Sequence, residues 1–461
     1  MLLRFVAENI APFKDAVEFN TFPSSKSHSH ENHKIACGHA TALRMSAIYG
    51  ANGAGKSNLL VILNFLKGLV EVGSIRDVEF FDALYFKFAP SCKDKPSGLA
   101  IEFYHQGNVF YYHIEFNRQE ILMEELYLSK KTKDVKLFVR NQSKISMNGD
   151  YAQKGINDQF IDALDRLVRP DMLLLSFLGK YYPTEVPLIT DAYTWFCDML
   201  QVVLPTTMMG IVPHLFDKNP AFSALVNSTI PELKTGISKL VVHKEILNEE
   251  EIKNNSDLLL AAKQAKLNPG EPQVSVRQHD VVVNVVFEDN TLYVKTLVAV
   301  HQNLDGTEVE MPLVLESDGT RRLIEYMPLL FAVTQDNMVY VVDEIERSIH
   351  PIMIKDIVRK LSESETAKGQ LIFTTHESGL LDQSIFRPDE IWFAQKDAEQ
   401  ATQLYPLSDY NIHKTANIEN GYLNGRYGGI PQQYYRGRFQ LRERPSQTGN
   451  GDSECREEYW V

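Results

Sequence analysis

The segment GANGAGKS at residues 50–57 constrains the fold more strongly than any other stretch of this chain. It matches the pattern G-x-x-x-x-G-K-[ST], whose chemistry requires a strand before the turn and a helix after it. The apolar residues 43–49 predict a short buried strand, and Leu59, Leu63 and Leu66 recur at helical spacing. We therefore predict a strand, a glycine-rich turn and a helix, which together form one unit of an α/β fold.

This turn has the chemistry of a phosphate-binding loop. Its glycines let successive backbone N–H groups converge on a phosphate, and the helix N-terminus adds its positive dipole end. Lys56 is expected to reach the β- and γ-phosphates of ATP, and the Ser57 hydroxyl is expected to ligate Mg²⁺. The residues predicted to bind ATP here are Gly50, Asn52, Gly53, Ala54, Gly55, Lys56, Ser57 and Asn58. The alternative is a glycine-rich turn with an incidental lysine.

A second apolar run, Val339 to Val342, ends in the carboxylate pair Asp343 and Glu344. Apolar residues without alternation are typical of a central parallel strand that is buried on both faces. Ligands of open α/β sheets bind at the carboxyl ends of such strands. We predict that Asp343 holds Mg²⁺ and that Glu344 polarises the attacking water. The alternative is a strand that ends at a solvated acidic turn.

Another buried strand is predicted within residues 369–381, and it ends at His376. A neutral imidazole at the carboxyl end of this strand would hydrogen-bond the γ-phosphate or the attacking water. A structural histidine that caps the strand is the alternative.

The segment ESDGT at residues 316–320 precedes an amphipathic helix. Ser317, Gly319 and the helix N-terminus predict a second anion site. Two anion sites for one nucleotide are redundant within a monomer, so we expect this one to contact ATP bound to a partner subunit. A plain helix with Ser or Asp as its N-cap is the alternative.

The net charge of the chain is −13, which argues against broad nonspecific binding to DNA. Five arginines near the end form a local basic segment with several aromatic residues, and this composition suits either single-stranded nucleic acid or a protein partner. These arginines are Arg426, Arg436, Arg438, Arg442 and Arg444.

Several features predict a cytoplasmic protein. The four cysteines, Cys37, Cys92, Cys197 and Cys455, are far apart, as is typical of a reducing compartment. No apolar stretch approaches the roughly 20 residues that cross a bilayer. The charged residues Arg4, Glu8, Lys14 and Asp15 argue against a signal peptide. We therefore expect no contact with a membrane.

The order of GANGAGKS, ESDGT, VVDEIERSIHP and TTH resembles the ABC-class ATPases, in the branch of the SMC and OLD-type proteins. More closely, the chain is similar to the stand-alone prokaryotic anti-phage ATPases of the RloA type, over residues 1–130 and 275–432. ENIAPFKDAVEF, DEIWFAQKD and YLNGRYGGIP match this family too. The signature segment of this chain is ESDGT instead of the transporter-type LSGGQ, and the glutamine loop of the family is not assigned to residues of this chain.

The resemblance implies a head-to-tail dimer that encloses two ATP molecules. Lys56, Ser57, Asp343, Glu344 and His376 would act from one subunit, and Ser317 with Gly319 would act from the other.

The resemblance and the residue patterns together predict an α/β fold. It is an ABC-type P-loop ATPase head with a mixed, mostly parallel sheet, flanking helices, an antiparallel β subdomain and a compact helical insertion. Residues 1–150 are predicted to hold the N-terminal half of the head, 151–272 the insertion and 273–410 the C-terminal half. Residues 411–461 are predicted to be an extension with a flexible end. The insertion is expected to sense a partner or DNA, and the alternative is a passive cap.

Histidines and one cysteine cluster within residues 28–39. His33, Cys37 and His39 offer three ligands for zinc, but structural zinc sites use four. A polar loop between the first strands is therefore the favoured interpretation.

The leading functional hypothesis is an ATP-driven sensor and regulator in an anti-phage system. ATP would close a head dimer that holds, releases or activates a separate effector, either a nuclease or a toxin. No nuclease motif follows His376, so the effector is expected on another polypeptide. Two alternatives stay open, namely a DNA-repair or chromosome-maintenance ATPase that acts directly on DNA and a scaffold that ATP assembles. A transporter ATPase is the weakest alternative.

Overall fold

The computed structural model describes residues 1–78, 85–148, 157–205, 207, 210–277, 281–413 and 416–430. Elements are numbered in chain order. The α-helices of the described residues are α1 (Lys56–Val72), α2 (Asp158–Leu167), α3 (Leu174–Tyr181), α4 (Pro187–Thr194), α5 (Val212–Lys218), α6 (Pro220–Glu232), α7 (Glu249–Asn254), α8 (Ser256–Leu267), α9 (Asp318–Gln335), α10 (Pro351–Glu363) and α11 (Ile418–Leu423).

The central sheet is mostly parallel. Its described strands, in spatial order, are β11 (Leu200–Val203), β17 (Val339–Val342), β18 (Gln370–Thr374), β5 (Met45–Gly50), β19 (Ile391–Lys396) and β20 (Thr402–Pro406). Only the last pair, β19 with β20, is antiparallel. Every residue of β5, β17 and β18 is buried, which confirms the prediction that these apolar runs are covered on both faces.

An antiparallel sheet covers the N-terminal part of the head. Its described strands, in spatial order, are β10 (Lys144–Met147), β9 (Val135–Asn141), β8 (Ile121–Ser129), β7 (Asn108–Phe116), β6 (Ser97–His105), β1 (Leu2–Glu8) and β2 (Val17–Asn20). The alternating apolar residues of 99–116 predict a hairpin. It is present as β6 and β7, and Gln106 and Gly107 adopt positive φ in its turn.

Helix α1 lies in the core between these two sheets. The core cluster that contains Leu59 and Leu66 also contains Phe103 and Phe110 of the antiparallel sheet and Val341 of the central sheet. This burial on several sides explains why the apolar residues of α1 cover more than one narrow face of the helix.

A third sheet and a short hairpin complete the described strands. The sheet contains β12 (Ile237–Ile246), β15 (Thr291–Gln302), β14 (Val281–Glu288) and β13 (Gln273–Arg277), with β16 (Glu308–Pro312) paired to β15. The hairpin is β3 (Lys34–Cys37) with β4 (Ala40–Leu43). The sequence pattern predicts three strands here, at about 274–287, 291–301 and 308–315. All three are present, although the first one divides into β13 and β14.

The segment predicted as a helical insertion is only partly helical. It contains α2 to α8, but Leu200–Val203, which lie within the range predicted to be helical, form the edge strand β11. Leu200 pairs with Val339 and Val203 with Val342, so pairing along a buried parallel edge outweighs the local helical pattern. The predicted boundary at 272 divides the third sheet, because β12 precedes it and β13 to β16 follow it. The boundary at 150 lies outside the described residues.

The C-terminal extension packs on the central sheet as far as residue 430. Tyr427 is 1% exposed, and its ring stacks on Phe393 of β19 with a centroid separation of 6.0 Å. The remainder of the extension, including Arg436, Arg438, Arg442 and Arg444, lies outside the described residues.

Candidate nucleotide site

The carboxyl ends of three neighbouring parallel strands meet at one edge of the central sheet. β17 lies beside β18, and β18 lies beside β5, so these three strands end next to one another. The loop that begins at Gly50 leaves β5, Asp343 and Glu344 follow β17, and His376 follows β18. Residues separated by hundreds of positions in the sequence thus converge at the position where α/β sheets bind ligands.

The backbone of the 50–57 loop requires glycine at particular positions. Gly53 and Gly55 have φ of 76° and 103°, which is a region that side chains disfavour. A Cβ at Gly55 would also clash with the side chain of Thr402, whose hydroxyl donates to the carbonyl of Ala54 at 2.9 Å. A Cβ at Gly50 would lie 2.5 Å from the carbonyl oxygen of Ala394. β19 and β20 therefore hold this loop in its shape.

Lys56 is the first residue of α1 and folds back over the loop. Its ammonium donates to the carbonyl oxygens of Gly50 at 2.7 Å and Ala51 at 3.2 Å. The residue is 5% exposed, and burial lowers the pKa of its side chain to about 8, against the opposing effect of nearby carboxylates. A cation is thus held at the centre of the loop by neutral acceptors, which an anionic ligand can replace.

Ser57 and Asp343 lie together although 286 positions separate them. The Ser57 hydroxyl donates to Oδ1 of Asp343 at 3.1 Å, and Thr374 donates to the same oxygen. Asp343 is 3% exposed, and its backbone N–H donates to Val203 at the end of β11. A hydroxyl beside a buried carboxylate is the oxygen-only donor set that Mg²⁺ prefers, so these residues fit the ion.

Glu344 has an unusual backbone conformation. Its φ is 50°, in the left-handed region that a glutamate rarely adopts. Its N–H donates to the Thr374 hydroxyl at 2.8 Å, and the side chain is half-buried. Such strain persists only where surrounding contacts hold it. The hydrogen bond to Thr374 therefore means that β18, as well as β17, fixes the position of Glu344.

His376 follows the last residues of β18 and is exposed. Its backbone N–H donates to Oε1 of Glu346 at 2.6 Å. Partial burial lowers the pKa of the imidazole, and the charge of Lys56 lowers it further, while Glu346, Glu344 and Asp343 act in the opposite direction. A lowered pKa favours the neutral form of the imidazole, and its predicted contact with the γ-phosphate or the attacking water stays a prediction.

Ser317 and Gly319 lie at the start of α9. Ser317 is the N-cap, and its hydroxyl accepts from the Thr320 N–H at 3.1 Å. A Cβ at Gly319 would lie 2.5 Å from the carbonyl oxygen of Ser348, in the loop that follows Glu344. No hydrogen bond within the described residues joins Ser317 or Gly319 to the 50–57 loop, and their contact with the nucleotide of a partner subunit stays a prediction.

Asn52, Gly53 and Asn58 lie on the open side of the loop. All three are exposed, whereas Ala54 and Gly55 are buried. The backbone N–H groups at the exposed positions are thus accessible to a ligand from solvent.

Three contributors to this arrangement were not predicted. Thr374 links Asp343 to Glu344, Thr402 supports the loop at Gly55, and Glu346 binds the backbone of His376. Thr374 stands in the TTH segment, which is a visible signal, but its role depends on a neighbouring strand. Nothing local to Thr402 or Glu346 indicates their contacts.

The histidine cluster at 28–39 forms hydrogen bonds with the protein. His33 is fully buried, with Nδ1 2.8 Å from Oε1 of Glu390 and Nε2 2.9 Å from the carbonyl oxygen of Ser362. His30 binds the carbonyl of Gln383. In the described part of the chain, no group of His, Cys, Asp and Glu side chains has an arrangement suited to a metal ion.

No helix among the described residues combines the length and apolar character that a bilayer crossing needs. A comparison with curated proteins finds no match. Two solved structures illustrate the similarity to known folds, each at 12% identity. The SMC head domain from Thermotoga maritima matches with a TM-score of 0.38, over 89% of this chain and 99% of that chain. An SMC head bound to the C-winged helix domain of ScpA matches with a TM-score of 0.41, over 88% and 97% respectively.

The family described as "AAA domain, putative AbiEii toxin, Type IV TA system" matches residues 45–168 and 219–382. These ranges contain the 50–57 loop, the start of α9, the Asp343–Glu344 pair and His376. With the strand order above, the match confirms the predicted α/β head of a P-loop ATPase. The chain is a member of this AAA-domain family.

Proposed function

We propose that this chain binds and hydrolyses Mg²⁺-ATP and uses the cycle as a switch that regulates a separate effector. The convergence of Lys56, Ser57, Asp343 and Glu344 at one sheet edge is the observation that supports this function most strongly. A phosphate loop alone would suit many nucleotide-binding proteins. A carboxylate held in a strained conformation beside the loop favours hydrolysis.

Binding of ATP would exchange the internal partners of Lys56. The ammonium would leave the carbonyls of Gly50 and Ala51 and donate to the β- and γ-phosphates. The N–H groups at the start of α1 would complete the contacts with the phosphates. Ser57 and Asp343 would hold Mg²⁺, which, when bound, neutralises charge on the phosphate oxygens.

Hydrolysis needs a water molecule oriented towards the γ-phosphate. The Glu344 carboxylate would accept a proton from that water, since its position is set by Thr374 and by the strained backbone. The neutral imidazole of His376 would donate to the γ-phosphate or to the water. Turnover is expected to be slow, as suits a switch.

The start of α9 would contact the nucleotide of a second subunit. Ser317 is exposed and caps a helix of 18 residues, so its hydroxyl and the helix N-terminus are available to an anion from outside. A head-to-tail pair would place this site over the ATP of the partner. The pair would form with ATP and separate after hydrolysis, which gives two states with different affinities for an effector.

The description of the family, a toxin of a toxin–antitoxin system, supports a role in bacterial defence against phage. We propose that this chain is the sensor or regulator of such a system and that the effector, a nuclease or a toxin, is a separate protein.

Two experiments test this function. Purified protein should release phosphate from ATP in the presence of Mg²⁺ and stop when EDTA is added; no release above background would contradict hydrolysis. Mass spectrometry of proteins that co-purify with tagged Glu344→Gln protein from its native host should identify a stoichiometric effector. Repair factors or DNA fragments without such an effector would instead support an ATPase that acts on DNA.

A further inference from the structure

Glu346 connects the loops after β17 and β18. Its Oε1 accepts a hydrogen bond from the backbone N–H of His376 at 2.6 Å, across 30 positions of the sequence. The loop after β17 is also joined to the end of β18 by the N–H of Ile345, which donates to the carbonyl of Thr374 at 3.1 Å. Glu346 therefore holds the segment that carries His376 against the segment that carries Glu344.

The backbone at His376 depends on this contact because the ladder of β18 has already ended. The last residue of β18 in register with β5 is Thr374, opposite Ile48. Thr375 still donates to the carbonyl of Ile48 at 3.1 Å. His376 is the next residue. Its N–H donates to the side chain of Glu346, whereas the N–H of Thr375 donates to the backbone of β5.

The other oxygen of the Glu346 carboxylate is buried, and within the described residues it has no hydrogen-bond partner. Leaving a buried acceptor unsatisfied is destabilising, so this second oxygen gives no stability reason for a carboxylate at this position. The charge of Glu346 also acts on Lys56 of α1, Tyr49 of β5 and Tyr326 of α9, and it favours a higher pKa of each side chain.

We propose that Glu346 is a positioning residue for ATP hydrolysis, which acts by fixing the backbone of His376 and thereby its imidazole. This inference rests on the function proposed above. The Glu346 side chain contacts neither nucleotide nor water in this account. Its effect passes through the N–H of His376, so it should disappear when the imidazole is absent.

A double-mutant cycle tests this dependence with the full-length protein. Glu346→Ala should lower kcat about 10- to 100-fold, because small displacements of a catalytic group have effects of this size. The affinity for ATP, measured by titration calorimetry, should not fall, because Glu346 acts on Lys56 through its charge alone and the loss of a carboxylate removes repulsion of an anionic ligand. In a His376→Ala background, Glu346→Ala should lower kcat no further.

Glu346→Gln provides the conservative variant. Its amide oxygen still accepts from His376, so kcat should return to within about threefold of wild type, although the charge is lost. Glu377→Ala is the matched control, because this adjacent carboxylate accepts from the Gly379 N–H at 2.9 Å and does not bond His376. It should leave kcat near the wild-type value.

The outcomes separate the two proposals. Wild-type protein without ATP hydrolysis would overturn the proposed function and this inference with it. If wild type hydrolyses ATP, equal and additive losses in both backgrounds would overturn the positioning role alone. So would a failure of Glu346→Gln to restore kcat when its melting temperature equals that of wild type.

Discussion

At the scale of single residues, Glu344 combines an unfavourable backbone conformation with a proposed catalytic side chain. A φ of 50° is unfavourable for a glutamate by about 1–3 kcal/mol, and the hydrogen bond from its N–H to Thr374 offsets part of this cost. This conformation directs the Glu344 carboxylate differently from the way that an extended backbone at the end of β17 would direct it.

Glu344→Gln should therefore bind ATP as tightly as wild type and hydrolyse it at least about 100-fold more slowly, since general-base catalysis contributes about 10²–10⁴-fold. Phosphate release under single-turnover conditions measures the chemical step directly. Near-normal turnover would assign the base to another residue.

The sequence predicts residues whose chemistry belongs to a short pattern and does not predict those defined by contact. Lys56, Ser57, Asp343 and Glu344 could be named because spacing and strand context indicate their chemistry. Thr374 and Glu346 could not, because each acts through hydrogen bonds to a segment about 30 positions away, two for Thr374 and one for Glu346. His33 illustrates the reverse case, in which a polar loop was the favoured prediction. The side chain is instead fully buried and pairs with Glu390, and the residues after it form the hairpin of β3 and β4.

At the scale of elements, β5, β17 and β18 could be predicted from their apolar runs, whereas β11 could not be predicted. Leu200–Val203 follows a helical turn and has only four residues, so its local pattern agrees with either structure. Its partner Val339–Val342 decides the outcome. This strand matters for the site, because the carbonyl of Val203 accepts from the N–H of Asp343 at 2.9 Å.

The third sheet carries a charge cluster that should control its stability in acid. Glu288 on β14 contacts Lys218, Lys244 and Lys295, and Lys295 is fully buried. Burial would raise the pKa of Glu288, but hydrogen bonds from these lysines lower it to about 2. A depressed folded-state pKa means that the stabilisation is complete above the unfolded value of about 4.5 and is lost as the pH falls towards about 2.

Glu288→Gln should lower the free energy of unfolding by about 1–3 kcal/mol at pH 7 and should remove part of the loss of stability between pH 4.5 and 2. Urea unfolding followed across this pH range measures both effects. The control is Glu308→Gln on β16, whose pair with Lys239 is largely solvent-exposed and should contribute little. Equal behaviour of the two variants would refute the role of the cluster.

At the scale of the whole molecule, one chain supplies two surfaces that would be used by different subunits. The 50–57 loop and the start of α9 form no hydrogen bond with each other within the described residues, yet both are open to an anionic ligand. Their use by different subunits stays a prediction, made from the redundancy of two anion sites within one monomer. The sequence did not predict that Gly319 packs against Ser348, which links the start of α9 to the loop after Glu344.

Ser317→Arg should weaken ATP-dependent pairing at least about tenfold, or 1.4 kcal/mol, because it places a bulky side chain where the partner's nucleotide would bind. ATP binding by the monomer should be unchanged. Sedimentation of the Glu344→Gln protein with and without ATP measures the pairing, and Ser228→Arg on the exposed face of α6 is the control. Pairing that survives in Ser317→Arg would refute a contact in trans.

We propose that the loop at Gly50 to Ser57 binds ATP through Lys56. Titration calorimetry of ATP into wild type and Lys56→Ala at pH 7 measures this contact directly. At this pH the ammonium is charged, since its pKa is about 8. Lys56→Ala should bind ATP about 10- to 150-fold more weakly than wild type does. This factor corresponds to the loss of a charge-assisted hydrogen bond of about 1.5–3 kcal/mol. Lys67→Ala, which removes a cation paired with Glu71 on the same helix, should bind ATP as wild type does. Equal affinity of wild type and Lys56→Ala would contradict the account.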